Sequence, residues 1–215
     1  MSKKVKIEVP KIPSVLEEGS FRAIYNDEDL TLMNCEVIGE AVDDVELDQV
    51  ILSKVVFRNV TFTNTTLPRI DMIDVVFDNC NLSNVTFSEG IIHRVTFTNC
   101  KLMGADFSEV NLGNVTFENC MANLSSYADS RLKQVRFEDT SLQSANYHGC
   151  QFTKTVFSKC DLNDVNFAQT LLKGIDLSTC TFERIHVDFE GLEGCEVSPD
   201  QAIGFAKLLG LKVVE

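Results

Sequence analysis

The sequence predicts an all-β solenoid: a four-sided β-helix of about eight coils with a short α-helix at its C-terminal end. Three observations carry that reading. Every fifth residue from Leu32 to Leu192 is apolar or aromatic, in a chain of 215 residues that is 44% apolar overall. Two residues before many of these stands a small or β-branched partner, among them Val55, Val75, Val85, Val95, Ala105, Val115, Val135, Ala145 and Val165. A spacing of two marks extended backbone, whereas a five-residue step on an α-helix would smear the apolar set around the axis. Finally, Cys80, Cys100, Cys120, Cys160 and Cys180 recur at multiples of twenty, as do Phe57, Phe77, Phe97, Phe117, Phe137 and Phe157. Four five-residue units therefore close one coil, and like side chains stack about 4.8 Å apart.

The chain divides into three parts on this register. Residues 1–31 lie outside it and contain Pro10 and Pro13, with a Val5, Ile7, Val9 alternation that predicts a strand laid on the first coil, so the segment reads as an N-terminal cap. Residues 32–196 are the β-helix. Residues 197–215 open with Ser198, Pro199, Asp200 and Gln201, the residue types of an N-cap, a first-turn proline, an early acid and a capping-box partner. Gly210 marks a stop, which predicts a helix over about 199–209. That helix and the tail after it carry Ile203, Phe205, Ala206, Leu209, Leu211 and Val213, more apolar surface than one coil end needs.

All eight cysteines occupy the small inward position, which assigns them to packing and not to metal or disulfide chemistry, and predicts reduced thiols in a cytoplasmic protein. His93, His148 and His186 fall on outward positions and share no place in the coil. No Gly-rich phosphate loop, no G-x-S-x-G and no long loop interrupts the register, so no enzyme activity, metal or cofactor is expected. No signal-peptide h-region or membrane-spanning run is evident.

Function is expected on the outer surface. Thirty-two acidic residues against nineteen basic ones give a net charge of −13, which disfavours direct binding to nucleic acid or anionic membranes. At twenty-residue spacing Glu89, Glu109 and Asp129 form one acidic ladder. Glu118 and Glu138, with Asp139 and Asp78, form another on what the spacing suggests is a neighbouring face, and Asp43, Asp44, Glu46 and Asp48 cluster near the N-terminal end. Folding gains nothing from stacked like charges. They serve either solubility or a protein partner whose natural ligand is DNA.

The repeat, with units such as NVTF, GADF, DVNF and GIDL, resembles the pentapeptide-repeat family over residues 32–192, and the resemblance implies a right-handed coil. The C-terminal sequence LEGCEVSPDQAIGFAKLLGLKVVE and the stretch IHRVTF are similar to Qnr-type quinolone-resistance proteins of Gram-positive bacteria. That resemblance implies a DNA-mimicking homodimer, paired through the C-terminal region, that binds DNA gyrase and topoisomerase IV and lowers quinolone susceptibility. The alternatives are an acidic scaffold or immunity protein with another partner, and a monomer whose helix only covers the last coil. Plasmid-borne Qnr proteins have two loops that interrupt the repeat and aid protection, and this sequence has none.

Overall fold

The computed structural model describes residues 5–26, 28–208 and 212. It is a parallel β-solenoid of about seven turns closed by a short C-terminal helix. The central rungs are eight-residue strands, β5 (Ile51–Arg58), β7 (Asp71–Asp78), β8 (Ile91–Thr98), β9 (Asn111–Glu118) and β10 (Arg131–Glu138). Each spans two sides of the coil. Shorter strands extend the series: β2 (Thr31–Met33) and β3 (Cys35–Ile38) at one end, β11 (Gln151–Thr153) and β12 (Val156–Ser158) at the other. Every pairing between these rungs is parallel with a twenty-residue register, as in Val75↔Val95 and Val95↔Val115. On the other two sides, β4 (Ala41–Asp43) pairs with β6 (Thr61–Thr63). Beyond them single bridges repeat the same step, such as Asn81↔Lys101 and Thr86↔Asp106. The register thus establishes four sides per turn.

Between sides the chain turns through a left-handed residue. Asn59, Asn79, Asn99 and Asn119 have φ of 54°, 54°, 55° and 52°, and the same positive φ recurs every fifth residue, at Lys54, Glu89, Arg94 and Leu124 among others. Asn tolerates this conformation better than other side chains.

The interior holds two aromatic ladders. Phe57, Phe77, Phe97, Phe117, Phe137 and Phe157 stack with ring centroids 4.7–5.1 Å apart. Phe107, Tyr127 and Tyr147 stack at 5.1 and 4.7 Å on the opposite side. The ladders meet edge to face, as Phe117 and Tyr127 do at 85°, an arrangement that suits the ring quadrupoles. At the second inward position, thiol and hydroxyl groups do more than fill space. Cys80, Cys100, Cys120 and Cys160 donate to the carbonyls of Phe57, Phe77, Phe97 and Phe137 on the preceding coil, and Thr140 and Thr170 donate to those of Phe117 and Tyr147. Burial pushes the Cys150 thiol up to about 12, so it stays protonated at neutral pH. All eight cysteines are free thiols.

The ends are closed differently. At the N-terminal end β1 (Glu17–Glu18) pairs with β3, and the 3-10 helix Phe21–Asn26 buries Phe21 and Ile24 over the first coil. Glu40 holds that helix by accepting from the Phe21 N–H at 2.9 Å and the Ser20 hydroxyl at 3.0 Å. The strand expected from Val5, Ile7 and Val9 does not form on the first coil. Residues 5–13 instead run lengthwise along the solenoid, from Arg136 to Asp74, because main-chain groups there meet polar side chains on successive coils.

At the other end helix α1 (Pro199–Leu208) begins with the expected capping box. The Ser198 hydroxyl accepts from the Gln201 N–H at 3.2 Å, and Gln201 Oε1 accepts from the Ser198 N–H at 2.8 Å. Gln201 Nε2 also donates to the carbonyls of Leu177 and Cys180, which docks the helix on the last coil. No helix among the described residues is long and apolar enough to cross a membrane.

Candidate interaction surface

The first acidic ladder stands on a corner. Glu89, Glu109 and Asp129 have φ of 59°, 59° and 56° and are all exposed. Their backbones are tied one coil apart by bonds from the N–H of each to Ser108, Ala128 and His148. The carboxylates thus project from one edge at the coil spacing, and none of the three takes part in a salt bridge among the described residues. Asp129 Oδ1 lies 2.3 Å from where a Cβ on Gly149 would stand, so glycine leaves room for the carboxylate.

The second ladder is not on a neighbouring face. Asp78, Glu118 and Glu138 end the long strands, about ten residues from the first ladder in a twenty-residue coil, which places the two on diagonally opposite edges. This edge is also partly neutralised. Arg58 bridges Glu36 and Asp78, Arg136 reaches Glu138 at 3.3 Å, and Lys159 lies 3.6 Å from Asp139. Of this group Glu118 alone has no salt bridge among the described residues.

The N-terminal cluster splits in two. Asp48 pairs with Arg69 and lines a groove with Asp71, Ile51, Ile91 and Glu89, so the structure brings Asp48 beside the first ladder. Asp43 lies in a separate groove with Phe21 and Glu40, Asp44 accepts from Asn64 at 3.0 Å, and Glu46 is exposed in the column of Thr66 and Thr86. Asp74 and Arg94, which the charge pattern did not single out, form the most buried ion pair, with side chains 5% and 14% exposed. Arg94, hydrogen-bonded to both oxygens, holds the Asp74 carboxyl below the usual carboxylate range, and the Lys11 N–H adds to this.

On the C-terminal helix, Phe205 is partly buried against Phe182 with ring centroids 5.8 Å apart, Ala206 is half-buried, and Ile203 faces solvent at 43% exposure. Leu209, Leu211 and Val213 lie outside the described residues. No group of three or more His, Cys, Asp or Glu among the described residues is placed to hold a metal ion.

A family model described as a pentapeptide repeat region matches residues 90–167. The solenoid register continues that repeat unbroken on both sides of the match. No curated protein matches the chain in sequence. Among solved structures, trypsin-treated QnrB1, a plasmid-mediated fluoroquinolone resistance protein, is similar at 18% identity, covering 84% of this chain and 99% of its own, with a TM-score of 0.40. Full-length QnrB1 is similar at 17% identity, with 84% and 100% covered and a TM-score of 0.31. HetL, a pentapeptide repeat protein of the cyanobacterium Nostoc involved in heterocyst differentiation, is similar at 13% identity, with 77% and 86% covered and a TM-score of 0.27.

Proposed function

We propose that this pentapeptide-repeat solenoid is a non-enzymatic cytoplasmic protein that imitates DNA, binds DNA gyrase or topoisomerase IV, and modulates quinolone susceptibility. The observation that supports it is the exposed, unbridged ladder of Glu89, Glu109 and Asp129 at constant coil spacing. A row of fixed anions along one edge presents a cationic DNA channel with what a phosphate strand presents, without bases to read. The similarity of the C-terminal sequence to Qnr-type proteins supports a type II topoisomerase as the partner. Asp78, Glu118, Glu138, Asp139, Asp43, Asp44, Glu46 and Asp48 extend the acidic surface, and a homodimer joined through Ile203 and its neighbours would double the length of the rod.

A second reading, an acidic scaffold or immunity protein with another partner, draws on the bridges to Arg58, Arg69, Arg136 and Lys159, which make the surface less anionic than a phosphate strand. The test is a gyrase supercoiling assay with and without ciprofloxacin, using wild type and the E89Q/E109Q/D129N chain. Wild type is expected to change supercoiling or drug inhibition at micromolar concentration, and the neutralised chain to lose most of that effect. No effect of wild type on either would sink the topoisomerase reading and leave the scaffold.

A further inference from the structure

Residues 5–13 lie along the edge marked by Asp74, Arg94, Asn114 and Gln134, a column of corner residues twenty apart, and they are held through their main chain. The Val5 carbonyl accepts from Arg136 Nη2 at 3.3 Å and the Lys6 carbonyl from Gln134 Nε2 at 2.9 Å. The Glu8 N–H donates to Asn114 Oδ1 at 3.0 Å and the Lys11 N–H to Asp74 Oδ1 at 2.8 Å. Both acceptors are themselves fixed: Gln134 donates to Asn114, and Arg94 grips Asp74 through two bonds. Asp74 and Asn114 are 4% and 8% exposed, while the corner acids Glu89, Glu109 and Asp129 stand in solvent.

The edge therefore offers a passing backbone two donors, Arg136 and Gln134, followed by two acceptors, Asn114 and Asp74. Val5, Ile7, Pro10 and Ile12 are half-buried, and Lys6, Glu8, Val9, Lys11 and Pro13 are exposed. The segment forms no strand and makes four bonds over its length, far fewer than a ladder rung, so it belongs to the least firmly held part of the fold. It is also slightly basic, with Lys6 and Lys11 against Glu8, in a chain of net charge −13.

We propose that this edge is a docking groove for an extended peptide main chain, filled here by the chain's own residues 5–13 and open to the same segment of a second copy when the resident one lifts away. Exchange of an identical segment is a low-cost route to association, because a second copy offers the same hydrogen bonds that the chain already makes with itself. The resident strap competes at an effective concentration on the order of millimolar, so a free peptide meets a filled groove in wild type.

The test uses a fluorescent peptide of residues 1–14 and the full chain, read by anisotropy. An I7D/I12D chain, whose own strap is weakened, is expected to bind the peptide at least about tenfold more tightly than wild type, on that effective-concentration argument. Adding Asn114→Ala to it is expected to weaken binding about fivefold, the loss of one hydrogen bond. Equal binding, or no binding, by wild type and a folded I7D/I12D chain overturns the proposal. Hydrogen exchange on wild type gives an independent readout. The Glu8 and Lys11 amides are expected to exchange much faster than those of β8–β10, and exchange only on global unfolding would make the strap a fixed part of the fold and overturn the proposal.

Discussion

From Asn34 to Gly174 each side of the coil ends on a residue with positive φ, a conformation that costs an L-residue about 1–2 kcal/mol relative to the right-handed region. Leu124, with φ of 61° and 63% exposure, carries that cost with little packing in return. Leu124→Asn is expected to raise stability by about 0.5–1 kcal/mol in urea unfolding, since Asn adopts this region more readily. The inward column of Cys100, Cys120, Thr140 and Cys160 gives a second expectation. The Thr140 hydroxyl donates to the Glu138 and Phe117 carbonyls and accepts from the Cys120 N–H. Thr140→Val should cost about 1–2 kcal/mol by leaving those buried groups short of a partner, and Thr140→Cys clearly less, in the same unfolding assay. The register of these positions was legible because every fifth residue from Leu32 to Leu192 is apolar or aromatic. The corner conformation was not, because Lys54, Glu89, Arg94 and Leu124 share it with the asparagines and the backbone imposes it whatever the side chain. The Asn59, Asn79, Asn99, Asn119 column was the available signal.

The two ends and the strap depend on a few polar residues. Gln201 closes the capping box and donates to two carbonyls of the last coil, so Gln201→Ala is expected to destabilise helix α1 by about 1–2 kcal/mol and expose it to limited proteolysis before the solenoid unfolds. Arg94→Ala leaves Asp74 buried without its cation and should cost about 3 kcal/mol. The same pair sets an acid limit. The folded Asp74 carboxyl titrates below its ordinary value of 3.8, so its contribution is present above that pH and is lost as pH falls through the lower folded value. Stability measured from pH 6 to pH 2 should therefore fall less steeply in Asp74→Asn, which starts lower, than in wild type. The helix was legible because S-P-D-Q acts locally. The strap was not, since its bonds come from main-chain groups and from side chains 63 to 131 residues away, and the Val5, Ile7, Val9 alternation fits a strand equally well.

For the whole molecule the question is what sustains an acidic edge that the fold does not need. In water, neighbouring carboxylates about 5 Å apart repel by roughly 0.8 kcal/mol, and physiological salt screens much of that. Among the described residues Glu89, Glu109 and Asp129 make two such neighbouring pairs and no salt bridge, whereas Asp78, Glu138 and Asp139 on the opposite edge each have a basic partner. Their positions in the coil were legible from the twenty-residue spacing. The diagonal placement follows from that same spacing, since about ten residues are half a coil, but the partners were not legible, because Arg58 and Lys159 reach across coils. If the first edge serves only solubility, its carboxylates are interchangeable with those of the second. If it is the binding edge, neutralising it has a distinct effect. E89Q/E109Q/D129N is expected to be more stable than wild type by about 1 kcal/mol at low ionic strength, with the difference shrinking as salt is raised. It should also bind topoisomerase at least tenfold more weakly, and its remaining binding should depend less steeply on salt. The comparison chain E118Q/E138Q/D139N removes the same formal charge from the opposite edge, so equal loss of binding in both chains would assign the effect to net charge and count against a specific acidic edge.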